Sequence, residues 1–379
     1  MKYVFLSVNE DLNCGLLKSQ FIKPIENCFS SDYEVVSINR PFYKQNTNNV
    51  KALNVLIPQG FIAYNALCFV YYLWAIVSAI LLIIKLKSLV SKKIVARGYL
   101  SGLIAYYAKK IFKVDYIFDP RSLYPLECIT ANRMEKGSIP YKFWISVEGK
   151  IVNCAERTVC VSAGMADYYK NSFSVKNTIV VPCYRSNQNG FQIDKDVTSL
   201  KTKLGLTSAK KTVLYFGSLN DGWNNLDLYF EQISTKFSSD VQFLIVSQDK
   251  ERIMSSKLGC LENVHVYSQD TLPDQITIDD IFHCSDYGMI FMAESHDWFT
   301  RLSVKFAEYT YFGLPVITNQ WVGEAVRLIN DNNLYPSKVV GDEKIELEFP
   351  TLENKVEISQ WANNYFSPDN INKYVGEQR

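Results

Sequence analysis

The chain has 379 residues, 47% of them hydrophobic and 21% charged, with a formal net charge of +1. Such a length holds two domains with substantial cores, and these proportions are ordinary for a globular protein. There is no low-complexity segment and no internal repeat, which excludes repeat and low-complexity architectures.

The near-neutral total conceals an asymmetry. Residues 1–185 carry 23 Lys/Arg against 12 Asp/Glu, and residues 186–379 carry 17 against 27. A basic half suits an anionic lipid surface or nucleic acid; no nucleic-acid motif is present, so lipid is expected and nucleic acid is not. Nine cysteines show neither CxxC nor zinc-like spacing and read as core thiols of a reducing compartment.

In chain order, the apolar run after Met1 is too short for a secretory signal and reads as a first buried strand, Tyr3–Val8. β-rich runs follow at Tyr33–Ile38 and Asn54–Ile57. Next comes an uncharged stretch from Gly60 to Ile84, 25 residues of which 22 are apolar or aromatic, ending in Lys85, Lys87, Lys92 and Lys93. The pattern KIVA, helix, YIFD after it is a strand–helix–strand crossover of a parallel sheet. A helical segment, KFWISVEGKIVNCAE, and two strands, RTVCVS and NTIVVP, close the first half. From Lys211 a second alternating series begins: TVLYFGSL, QFLIVS, VHVY, YGMIFM and LPVITN. The expected fold is α/β, with two facing Rossmann-like, doubly wound parallel-sheet domains and chemistry in an interdomain cleft. The expected boundaries are 1–185, 186–360 and a C-terminal helix, 361–379, returning to the first domain, with polar 185–203 as linker.

By length alone the 60–84 stretch suffices for a membrane span. Strand candidates on both sides of it must share one sheet, however, so a crossing would destroy the domain. The expectation is that part of it covers the sheet and part enters the lipid interface, so that residues 60–93, lysines included, meet an anionic membrane surface.

The segment DWFTRLSVKFAEYTYFGLPVITN, 297–319, carries the strongest chemical signal. A helix starting near Ser303 presents free N–H groups and a positive dipole end, with Ser303 and Lys305 in reach of one phosphate. Glu308 can accept two hydroxyl hydrogen bonds, as a ribose diol offers. The bland reading is a capped helix with an exposed lysine and glutamate. Gly217 and Ser218 after the LYF strand permit close approach to a diphosphate, and Gly15 has the same role after the first strand.

The pattern S-x-K-x-x-E-Y-x-x-x-G-x-P-V-I resembles the donor-binding signature of GT-B glycosyltransferases, specifically glycosyltransferase family 4. CGLLKSQ, VARGYLSGLIAYYAKKIFKVDYIFDPRSLYPLE, AERTVCVSAGMADYY, VVPC and TVLYFGSL resemble the same family, of the bacterial surface-polysaccharide type, in the same order over residues 3–320. The resemblance implies a nucleotide-sugar donor held by Lys305 and Glu308 in the second domain. It also implies an acceptor in the first, which is expected to be a lipid-linked saccharide, and transfer with retention. The chain departs from the pattern at Thr300, where many members have a glutamate. Asp297, Thr300 and Arg301 are the candidates to contact the transferred sugar in its place, and Arg301 also to aid the diphosphate.

The histidines, at 265, 283 and 296, all lie in the second half, so no histidine base comes from the first. Asp119, with Glu127 as second choice, is the expected acceptor-side carboxylate. Arg97 and Arg121, at strand ends, are candidates for sugar or phosphate contacts. No DxD pair ends a strand, and there is no P-loop or GxGxxG, so no metal or other cofactor is expected beyond the nucleotide sugar. Lys305 and the helix dipole would carry the leaving-group charge. The alternatives are a GT-B protein that binds without catalysis and a membrane-anchored structural protein. The enzyme reading places the chain in the cytoplasm, peripheral on the inner face of the membrane.

Overall fold

The computed structural model describes residues 2–12, 14, 17–29, 33–40, 50–58, 60–86, 92–184, 190–192, 196–219, 225–374 and 376. Two compact units divide the chain, Met1–Pro182 with Pro368–Arg379, and Cys183–Ser367.

The first unit holds seven strands: β1 (Lys2–Val8), β2 (Tyr33–Asn39), β3 (Val50–Asn54), β4 (Lys92–Arg97), β5 (Tyr116–Asp119), β6 (Arg157–Cys160) and β7 (Thr178–Val180). They form one sheet in the order β3-β2-β1-β4-β5-β6-β7, and every pairing is parallel. Central strands of such a sheet are covered on both faces and so read as continuous apolar runs; Val4, Phe5, Leu6, Ile94, Val95 and Ile117 are all buried. The second unit holds β8 (Lys211–Phe216), β9 (Val241–Val246), β10 (Val264–Tyr267), β11 (Tyr287–Ile290), β12 (Val316–Asn319) and β13 (Lys338–Val340). Its order is β10-β9-β8-β11-β12-β13, again all parallel.

In each unit the chain winds outward in one direction and then restarts in the other. The reversal falls between β1 and β4 in the first sheet and between β8 and β11 in the second. The two loops leaving such a pair diverge, and the crevice they leave beyond the strand ends is where open parallel sheets bind ligands.

Three expectations shift. The third strand is Val50–Asn54, not Asn54–Ile57, because β3 follows the register of β2 from Val35↔Val50 to Asn39↔Asn54 and ends when β2 ends. As an edge strand it tolerates exposed Lys51 and Asn54, which hid it among apolar neighbours. Within the expected linker, Val197–Lys203 is a helix of the second unit, pinned by buried Lys201 donating to Asp286 at 2.8 Å. The helix Leu352–Tyr365 also stays in that unit; the return to the first starts at the 3-10 turn Pro368–Tyr374.

The apolar stretch forms two short 3-10 turns, Gly60–Tyr64 and Ala66–Phe69, and then a helix, Val70–Lys85. From Ala66 to Lys85 it is long and apolar enough to cross a membrane. Strands β3 and β4, on either side of it in the chain, belong to one parallel sheet, and a crossing would separate them. One face of the helix, Tyr71, Trp74, Ala75, Ser78, Ala79 and Leu82, is buried. The opposite stripe, Val70, Leu73, Val77, Ile80, Leu81 and Ile84, is exposed, at the i, i+3, i+4 spacing of a helix face.

The expected lysine cluster does not stand free beside this stripe. Lys92 is buried and donates to Glu34 at 2.9 Å, Lys93 donates to Glu156 at 2.7 Å, and Lys85 donates to the Ala52 carbonyl. Lys87 lies outside the described residues.

Candidate functional site

At the switch point of the second unit, β8 is followed by Gly217, whose φ is +135°. A Cβ there would lie 2.7 Å from Cε of Lys305, so the lysine side chain passes over a bare strand end, and the positive φ is one that glycine adopts without strain. Lys305 stands in the first turn of the helix Val304–Tyr311, capped by Ser303, whose Oγ accepts from the Lys305 N–H at 3.2 Å. Its Nζ sits 5.2 Å from the centroid of the Tyr215 ring. Burial pushes the ammonium down to about 8, because this setting replaces water by apolar and aromatic surface.

Tyr309, one residue past Glu308, fixes the helix to the sheet. Its hydroxyl accepts from the Phe216 N–H at 2.9 Å, and its ring packs where a Cβ on Gly288 would fall 2.3 Å away. The spacing S-x-K-x-x-E-Y is thus a cap, a cation, a carboxylate and an anchor, two, three and one positions apart. Glu308 is 6% exposed. Ser218 follows Gly217, and its carbonyl accepts from the Tyr215 hydroxyl at 2.6 Å. Gly15 lies outside the described residues.

The three residues expected to meet the transferred sugar are engaged with one another. Arg301 Nη2 is 3.3 Å from Asp297 Oδ1, and Nη1 donates to the Ala293 carbonyl at 3.4 Å. The Thr300 hydroxyl donates to the Asp297 carbonyl at 2.9 Å. All three side chains are largely buried and shape the loop between β11 and the Lys305 helix.

At the switch point of the first unit, a cavity of about 320 Å³ opens beyond the ends of β1 and β4. Arg40, Arg97, Arg121 and Glu10 belong to its wall. Asp119, 1% exposed, lies behind the wall formed by Pro120, Arg121 and Ser122. Its Oδ2 accepts from the Tyr374 hydroxyl at 2.9 Å, brought by the returning C-terminal turn. Arg97 Nη1 is 3.6 Å from Oδ2, and Arg121 Nη1 is 3.7 Å from Oδ1. Arg121 holds a left-handed backbone, φ +64°, which a side-chain-bearing residue rarely adopts. Burial raises the Glu10 carboxyl above the usual carboxylate range, against the pull of Arg97, whose Nε is 3.3 Å from Oε2. Glu127 lies in the first turn of the helix Tyr124–Thr130, accepts from Ser122 at 2.8 Å and is off the cavity wall.

The structure therefore brings Arg97, Asp119 and Arg121 together in one unit, and Gly217, Ser303, Lys305 and Glu308 in the other. Sequence reading missed Glu10 and Arg40, because only the strand order shows that the β1 and β2 ends open on the same crevice as β4. Among the described residues no group of three or more His, Cys, Asp or Glu is arranged to hold a metal ion.

No protein-family model matches this chain, nor does any curated protein sequence. Solved structures do. HepE from Anabaena, in complex with UDP, is 13% identical with a TM-score of 0.64, over 99% of this chain and 98% of that one. WaaG, a glycosyltransferase involved in lipopolysaccharide biosynthesis, is 13% identical with a TM-score of 0.58, over 99% and 95%. A glycosyltransferase from Rickettsia africae is 15% identical with a TM-score of 0.60, over the whole of both chains. Likeness over entire chains at such identities shows the fold: the two doubly wound units are those of the GT-B architecture.

Proposed function

We propose that the protein is a glycosyltransferase that moves a sugar from a nucleotide-sugar donor to a lipid-linked saccharide in cell-surface polysaccharide synthesis. One observation carries the reading: Lys305, at a helix N-terminus, lies across the bare strand end at Gly217. A cation, free N–H groups and a bare strand end are what a nucleoside diphosphate requires. HepE structures with UDP and with UDP-glucose support a donor of that class.

In the proposed reaction Lys305 and the helix dipole stabilise the diphosphate as the glycosidic bond breaks. Glu308 holds the ribose. The sugar transfers with retention by front-face attack, and the departing phosphate oxygen takes the proton of the attacking hydroxyl. No metal is required, since the lysine and the dipole supply the charge. The exposed stripe from Val70 to Ile84 lies in the membrane interface on the cytoplasmic side, where the acceptor is presented.

Calorimetric titration with a panel of nucleoside diphosphates in EDTA tests the donor site; one of them should bind, and Lys305→Ala should abolish that binding. If the wild-type chain binds none, the reading is wrong. Turnover of the matching nucleotide sugar separates the enzyme from a second reading, a GT-B protein that binds donors without transferring. That reading draws on the way Asp297, Thr300 and Arg301 are engaged together rather than held out toward a sugar.

A further inference from the structure

We propose that Glu148 is a positioning residue: by gaining or losing one proton it changes how Tyr99 is held in the cavity wall of the first unit. That this cavity takes part in transfer rests on the glycosyltransferase reading; the two protonation states rest on the side chains themselves.

Glu148 lies in the middle of the helix Ile139–Cys154 and is fully buried. Its neighbours along that helix face, Trp144, Ile151 and Val152, are buried apolar residues. A carboxylate in such a place is costly unless it is paired, and among the described residues no cation pairs with it.

Its partners are phenols from two other helices. The Tyr99 hydroxyl, in the first turn of the helix Gly98–Phe112, donates to Oε1. The Tyr168 hydroxyl, from the helix Ala163–Phe173, donates to Oε2 at 3.4 Å. Tyr169 is fully buried beside the same carboxyl, and its hydroxyl has no hydrogen-bond partner among the described residues.

An ionised carboxyl only accepts hydrogen bonds, whereas a protonated one also donates. The ionised form holds Tyr99 by a charge-assisted bond, roughly twice as strong as a neutral one. The protonated form gives up that strength, and its O–H can turn to the unengaged oxygen of Tyr169. Burial pushes the Glu148 carboxyl up to about 7, against the hydrogen bonds from the tyrosines. Burial also raises the three phenols, Tyr141 on the same helix as Glu148, and Cys160 of β6 behind Tyr169, and so keeps all of them neutral. The carboxyl is thus the group of this cluster that changes charge near neutral pH.

Tyr99 carries the change to the cavity, whose wall it lines. Its ring lies 5.8 Å from that of Phe118, edge to face, and 5.5 Å from that of Tyr124, another wall residue. The helix that Tyr99 helps to start has no side-chain cap, so the bond to Glu148 tethers its first turn.

The full chain with isotope-labelled tyrosine rings is followed by NMR from about pH 5 to about pH 9, the Tyr99 signal being the one lost in Tyr99→Phe. That signal should move with one midpoint, near 7, and stay fixed in Glu148→Gln, which keeps the shape and an oxygen for Tyr99 but does not titrate. An infrared carboxyl band with the same midpoint should be absent from that variant. Tyr99→Phe removes a donor to the ionised form and should raise the infrared midpoint. In denaturant unfolding, the folding constant of the wild type relative to Glu148→Gln should fall as pH rises from the ordinary 4.5 to about 7, then level off. The fall is at most tenfold per pH unit, because in that interval the unfolded chain has released the proton that the folded chain keeps. A Tyr99 signal indifferent to pH in the wild type, or still moving in Glu148→Gln, overturns the proposal. Should Glu148→Gln fail to fold, the infrared midpoint decides: raised in Tyr99→Phe it supports the coupling, unmoved it overturns it. A nucleoside diphosphate that binds the wild type should bind Glu148→Gln equally. If the chain binds none while Tyr99 follows the carboxyl, the donor reading fails and the positioning role stands; if it binds one while Tyr99 ignores pH, only the positioning role is lost.

Discussion

The two switch points gather charged side chains beyond the ends of parallel strands in different ways. In the second unit the candidate residues are local in sequence: Ser303, Lys305, Glu308 and Tyr309 lie within seven positions and pack against the end of β8 at Tyr215, Phe216 and Gly217. In the first unit they are dispersed. Glu10, Arg40, Arg97, Asp119 and Tyr374 come from five separate parts of the chain and meet only because the sheet orders them so. A local site is specified by helix geometry and survives divergence as a motif. A dispersed one is specified by topology and leaves no motif.

The largest expected loss comes from the cation of the second unit. Lys305→Ala should lower single-turnover transfer by roughly 2–4 kcal/mol in transition-state stabilisation, since the contact strengthens as charge develops on the leaving phosphate. Wild-type rates in that variant would remove Lys305 from the site. The matching experiment in the first unit is Asp119→Asn. It takes the charge from the carboxylate between Arg97 and Arg121, and should cost about 2–3 kcal/mol of stability in denaturant unfolding and depress transfer. Nucleotide affinity should stay near wild type, because Asp119 belongs to the other unit. A collapse of nucleotide binding there would erase the distinction between the two sites.

Gly217→Ala sharpens the comparison from the side of the backbone. The new methyl meets the Lys305 side chain, whose flexible end can move, so the fold should survive while nucleotide affinity falls roughly tenfold. An unchanged dissociation constant in calorimetry would mean that Lys305 need not cross the strand end to bind.

What could be read beforehand follows the same division. The Lys305 helix, its cap and the Gly217 turn were legible because each depends on neighbours a few residues away. Arg97 and Asp119 were legible as polar residues closing apolar runs. Glu10 was not, since its relevance depends on β1 lying beside β4, which no local pattern encodes. Trp74 shows the limit in another way: in a segment apolar all round, periodicity cannot tell the face that packs inward, where Trp74 lies, from the face left exposed, where Leu73 lies. The pairing of Lys92 with Glu34 and of Lys93 with Glu156 was hidden for the same reason, because the partners meet only across the sheet.

The smallest effect expected is also discriminating, because it follows the proton of one side chain. Lys305 titrates near 8 against an ordinary 10.5, so in the free protein it loses its proton as pH rises through about 8. Only the ammonium binds a diphosphate, and nucleotide affinity should therefore fall from about pH 8 upward, by at most tenfold per pH unit, with proton uptake on binding in calorimetry. Stability runs the other way. Above about pH 8 the unfolded chain holds the proton that the folded chain has released, so this group disfavours folding below pH 8 and the penalty is relieved as pH rises toward 10.5. Lys305→Arg tests the assignment: it should flatten the nucleotide profile. A nucleotide profile that stays steep in Lys305→Arg would assign the titration to another group and place the donor phosphate elsewhere.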